Sequence, residues 1–83
     1  MNNNDWVQAA PFRALLGQLI EVTGLPWPAL ARHGRLPPQL VHHLLHGRDG
    51  RRVARIPHEC ARRILALDEE CLLKVARQQG VFA

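Results

Sequence analysis

The sequence predicts an all-α domain of five short helices. Three observations carry that expectation. Apolar residues recur at three- and four-residue spacing, Pro and Gly bracket each periodic segment, and no alternating β-branched run is long enough to signal a strand. With 83 residues, 47% of them hydrophobic, the expectation is one domain (1–83) built on one continuous core, and not a disordered chain.

The first helix is expected near Pro11, because a proline in the first turn sacrifices only an N–H that has no helical partner. Phe12, Leu15, Leu16, Leu19, Ile20 and Thr23 form its buried stripe, and Gly24 supplies a left-handed stop. Trp6 and Val7 are expected to fold back onto this helix. A short second helix runs from Trp27 to His33, with Pro26 and Pro28 at its start, Leu30 and Ala31 facing inward, and Gly34 ending it. The third begins at Pro37-Pro38 and runs to Gly47. Its apolar stripe is Val41, Leu44 and Leu45, which leaves Gln39, His42, His43 and His46 on the polar side. Residues 48–56 read as a basic loop in which Asp49-Gly50 marks a turn. The C-terminal helices fall within 57–80. The fourth starts at Pro57 with Cys60, Ala61, Ile64 and Leu65 inward. The fifth is capped by Asp68, complemented at its positive end by Glu69 and Glu70, lined by Leu72, Val75 and Ala76, and closed by Gly80.

Charge is distributed unevenly. The net charge is +4, but the stretch from Arg32 to Arg63 holds eight arginines against Asp49 and Glu59, a local excess of +6, while the remainder is −2. Such asymmetry points to a polyanionic partner on one face.

Other function classes find little support. No apolar run approaches the roughly 20 residues that span a bilayer, and the segment Met1-Asn2-Asn3-Asn4-Asp5 lacks the basic flank and apolar centre of a secretory signal. A cytoplasmic, nucleoid-associated protein is expected. The two cysteines, Cys60 and Cys71, lie inside apolar helical patterns and are expected to be buried free thiols. His42 and His46 have the i,i+4 spacing of metal ligands, but no CxxC pair or metal-finger order accompanies them, so no metal or other cofactor is expected. There is no serine and no phosphate-cradling glycine loop; Cys60 and His58, two apart on a helix, point to different sides. No enzymatic site is expected.

Residues 30–47 read LARHGRLPPQLVHHLLHG. This stretch resembles the helix-turn-helix of the Cro/repressor (lambda-repressor-like, XRE-type) DNA-binding domains. The matching positions are Leu30-Ala31 in the second helix, Leu36 in the turn, Val41 and Leu44 in the third helix, and Gly47 closing it. Ala31 must be small where the helices cross closely, and Leu36, Val41 and Leu44 hold their angle. The segment from Gly47 to Leu67 also resembles immunity repressors and regulators of actinobacteria and their phages. Two positions depart from the family: Arg35 stands where it usually has Gly, and Pro37 replaces the usual Ser or Thr cap.

The resemblance implies a five-helix, lambda-repressor-like fold with its helix-turn-helix core at 26–47. It also implies sequence-specific double-stranded DNA binding, as a transcriptional repressor whose helix 38–46 lies in the major groove. Pro38, Gln39, Leu40 and His43 would face bases. Gln39 suits the N6 and N7 of adenine, and Leu40 a thymine methyl. Arg35, His42, His46, Arg48, Arg51, Arg52 and Arg55 would contact phosphates, one arginine entering the minor groove. A homodimer through the fifth helix and the Val81-Phe82 tail is expected, since a single short module reads few base pairs. Two other readings use the same scaffold: a protein-interaction adaptor, such as an antitoxin or polymerase-binding module, and a DNA-bending or recombination accessory protein.

Overall fold

A computed structural model describes residues 5–80. Among them the elements run β1 (Trp6–Gln8), α1 (Ala10–Thr23), α2 (Trp27–His33), α3 (Pro38–His46), β2 (Arg55–Pro57), α4 (His58–Leu65) and α5 (Glu69–Gln78). The described residues are therefore mostly helical, with five helices and a two-stranded antiparallel ribbon. The Val81-Phe82 part of the expected dimer surface lies outside the described residues.

The helix boundaries follow local chemistry. Gly24 ends α1 with a left-handed φ of 72° and returns its N–H to the Ile20 carbonyl. Thr23, fully buried, satisfies its hydroxyl by donating to the Leu19 carbonyl at 2.6 Å and accepting from the Leu25 N–H at 3.2 Å. Asp68 caps α5, its Oδ1 accepting the Glu70 N–H at 3.1 Å, with Glu69 and Glu70 in the first turn.

The core has two lobes. Leu16 of α1, Ala31 of α2, Leu36 of the α2–α3 turn, Val41 and Leu44 of α3, Ile56 of β2, and Cys60, Ala61 and Ile64 of α4 pack in the first. Leu19, Leu25, Ala29 and Leu30 pack with Leu72 and Ala76 of α5 in the second. Leu15 and Leu67 touch both lobes and join them.

Five expectations need correction. No strand is expected from the sequence, yet the chain forms the ribbon. Trp6 pairs with Pro57, Val7 with Ile56 and Gln8 with Arg55, and the pairing extends through Ala9 N–H to Ala54 O and His58 N–H to Asp5 O. Strands of three residues are too short to display alternation. Here it sends Val7 and Ile56 to the core and leaves Trp6, Gln8 and Arg55 exposed. The basic loop therefore ends in a strand, Pro57 closes that strand, and α4 starts one residue later. Trp6 does not lie buried on α1; it is 52% exposed. Leu65 also faces outward, 65% exposed, because the chain leaves the helix there and Leu67 fills the position between the lobes. Finally, Cys71 is exposed, and only Cys60 is a buried thiol.

The turn between α2 and α3 puts its left-handed position on Arg35. Gly34 is right-handed at φ −84°, and the left-handed position, φ 54°, falls on Arg35. The backbone is held by Arg35 N–H to Arg32 O, by Leu36 N–H to Ala31 O at 2.8 Å, and by the Arg63 guanidinium donating to the Arg35 carbonyl at 2.6 Å. A left-handed φ costs a non-glycine residue about 1–2 kcal/mol, partly offset by the greater unfolded-state entropy of glycine. Arg35→Gly is accordingly expected to stabilise the protein by about 0.5–1 kcal/mol, read as a higher urea midpoint with unchanged slope. A lower midpoint would show that the Arg35 side chain contributes more to the turn than its backbone strain costs.

Candidate nucleic-acid interface

The geometry of α3 starts with its buried face. Val41 and Leu44 are fully buried in the first lobe, where α3 packs on α1 and α2, with Ala31 and Leu36 in the same cluster. Fixing those positions leaves Pro38 and Gln39 exposed and His43 half-buried at the surface edge. Leu40 is half-buried and packs its side chain against the first lobe.

Beyond α3 the chain forms a compact basic arm. Gly47 (φ 89°, ψ 170°) redirects the backbone, and Arg48 and Arg51 then exchange both backbone hydrogen bonds, at 2.7 and 3.0 Å. The two residues between them, Asp49 and Gly50, have φ of 53° and 76°, both positive as a type I′ turn requires. Arg48, Arg51 and Arg52 emerge from this tight hairpin into solvent, and Arg55 follows on the exposed side of β2.

One groove joins the helix edge to the arm. It has a volume of about 420 Å³ and opens to solvent between α3 and the ribbon. Pro37, Gln39, Leu40 and His43 line it from α3 and the preceding turn, and Arg48 and Val53 from the arm. The ribbon adds Trp6, Arg55, Ile56 and Pro57. Of the residues singled out from sequence, Gln39, Leu40, His43, Arg48 and Arg55 thus share one concavity that no acidic side chain lines.

The remaining candidates lie elsewhere. Arg35 belongs to a separate depression with His33, Arg63 and Leu67. His42 and His46 form an aromatic row with Trp27: the ring centroids are 5.5 Å apart for Trp27–His42 and 5.0 Å for His42–His46. Trp27 is half-buried and packs against the first lobe, so His42 sits over a packing anchor. Among the described residues no three His, Cys, Asp or Glu side chains converge as a metal site.

Two residues that position this region were not legible in sequence. Arg13 of α1 donates from Nε to the Leu44 carbonyl at 2.8 Å and from Nη2 to the Val53 carbonyl at 2.6 Å. It ties the last turn of α3 to the far end of the arm. The sequence signal was a single charge beside an otherwise apolar stripe, three residues before Leu16. Arg63 of α4 does the same for the α2–α3 turn, and its Nη2 also pairs with Glu59 at 3.2 Å.

Both thiols are held in the neutral form. Burial pushes the Cys60 thiol up, against a smaller opposing effect of Arg63. Cys71 is raised because its Sγ donates to Asp68 Oδ2 at 3.4 Å, and ionisation would break that bond beside a carboxylate. Neither is poised as a nucleophile.

No protein family, no curated protein and no solved structure matches this chain. No helix among the described residues is long and apolar enough to cross a membrane.

Proposed function

We propose that the protein binds double-stranded DNA by laying α3 in the major groove, with α2 and α3 acting as a helix-turn-helix of the Cro/repressor kind. The observation that carries this reading is the shared groove: exposed Gln39 and half-buried His43, on a helix whose opposite face is locked in the core, lie beside arginines of a structured arm. An exposed polar edge at a helix N-terminal half can reach base edges, and an adjacent fixed set of guanidiniums can neutralise phosphates. In this reading Gln39 and His43 read bases, Arg48, Arg51, Arg52 and Arg55 grip the backbone, and bound protein excludes polymerase from the site, which makes it a repressor. The left-handed turn at Arg35 agrees with the family's preference for glycine at that position.

Salt titration against a random duplex tests the electrostatic part. With four arm arginines on phosphates, the log–log slope should be about −3.6, so raising salt from roughly 50 mM to roughly 200 mM weakens binding on the order of a hundredfold. A protein-interaction adaptor would show little duplex affinity at any salt. Paired variants test the division of labour. Gln39→Ala should lose discrimination at one or two base pairs, costing about 1–3 kcal/mol there. Arg52→Ala should weaken all sequences alike and flatten the salt slope by about 1. If both variants bind specific and random duplexes as the parent does, the assigned face is wrong.

A further inference from the structure

Trp6 is the largest exposed aromatic surface among the described residues, and its placement is set by the fold. Strand alternation in β1 turns Val7 to the core and Trp6 outward, and pairing with Pro57 holds the indole at the groove beside α3. Trp6, 52% exposed, leaves a wide apolar indole face open at this groove. The groove has an apolar floor to which Leu40, Val53 and Ile56 contribute, and its rim carries Arg48 and Arg55 with no acidic partner in the groove.

We propose that this groove holds a short stretch of one DNA strand's sugar–phosphate backbone. A deoxyribose face lies against the Trp6 indole, and the neighbouring phosphates lie on Arg48 and Arg55. The inference rests on the DNA-binding reading and adds the ribbon to it as a second contact element. Three features fit this occupant. At about 420 Å³ the groove is the size of a small-ligand site, which suits sugar–phosphate units. The sugar's apolar face matches an aromatic surface, while indole Nε1–H offers only a donor, suited to phosphate oxygen. The two guanidiniums complement an anion repeated along a chain. Gln39 and His43 form the α3 wall of this same groove, so a duplex whose bases meet that wall has a backbone to place against the opposite wall, where Trp6 and Arg55 of the ribbon lie.

The test uses the full chain and a labelled random-sequence duplex, with DNA anisotropy reporting binding and tryptophan emission reporting the groove. The protein has two tryptophans, so Trp27→Phe isolates Trp6. Trp6 emission should change in step with anisotropy, and its quenching by acrylamide should fall on saturation. Trp6→Ala should weaken duplex affinity about fivefold, while Trp6→Phe, which keeps an aromatic face, should stay within about twofold. Duplex binding with Trp6 emission and quenching unchanged would overturn the groove assignment and leave the DNA-binding reading standing. A parent protein that gives no anisotropy change would overturn both.

Discussion

Gly47→Ala is expected to destabilise the protein by about 3 kcal/mol, from two causes acting at one atom. The backbone there, φ 89° with ψ 170°, lies in a region essentially restricted to glycine, where any side chain costs about 1–3 kcal/mol. A Cβ would also stand 2.8 Å from the Arg51 carbonyl oxygen, closer than such atoms approach. That carbonyl accepts the Arg48 N–H, so the hairpin cannot move aside without breaking the pair that defines the arm. Gly50→Ala is the internal control: its φ is 76° but nothing lies within 4 Å of the added methyl, so only the backbone strain of about 1 kcal/mol remains. Urea unfolding of both variants reads the difference. Equal losses would mean that the arm does not fold back onto Gly47.

Arg13→Met is expected to cost about 2–3 kcal/mol and, on the proposed function, to weaken duplex binding without touching the interface. Each of the two bonds to carbonyls is charge-assisted, and the lower end of the usual range of about 1.5–3 kcal/mol applies because the side chain is only partly buried. Met keeps an unbranched apolar stem of similar length, so the loss isolates the guanidinium. Arg13→Lys should recover less than half of it, since one ammonium does not reproduce a planar fork that serves Leu44 and Val53 together. An unchanged urea midpoint for Arg13→Met would show that α3 and the arm are held by packing alone.

The helices were legible because their signals are local. Periodic leucines, Gly24, the Asp68 cap and the paired prolines each act within a few residues, and the structure places the five helices where these point. The ribbon was not legible because its pairing joins residues some fifty apart, Val7 with Ile56, through strands too short to show a pattern. Cys71 and Leu65 were misread for a related reason. Both fit a helical apolar pattern, yet Cys71 faces the Asp68 carboxylate, and Leu65 loses its place in the core to Leu67 just beyond the helix end.

The candidate site divides along the same line. Exposure of Gln39 follows from burying Val41 and Leu44, which spacing alone shows. That Arg48 and Arg55 share a groove with it depends on the type I′ hairpin and on β2 returning to pair with β1, and the sequence signal for that reaches no further than Asp49-Gly50. Arg13 was invisible because its partners are backbone carbonyls, which carry no residue identity.

Backbone amide chemical shifts, recorded while a duplex is titrated into the labelled protein, test whether one face built from α3 and the arm receives DNA. If that face receives DNA, the largest shifts fall at Gln39, Leu40, His43, Arg48, Arg51, Arg52 and Arg55, and the outer face of α5 stays unmoved. Shifts confined to α5, or none at saturating duplex, would contradict it.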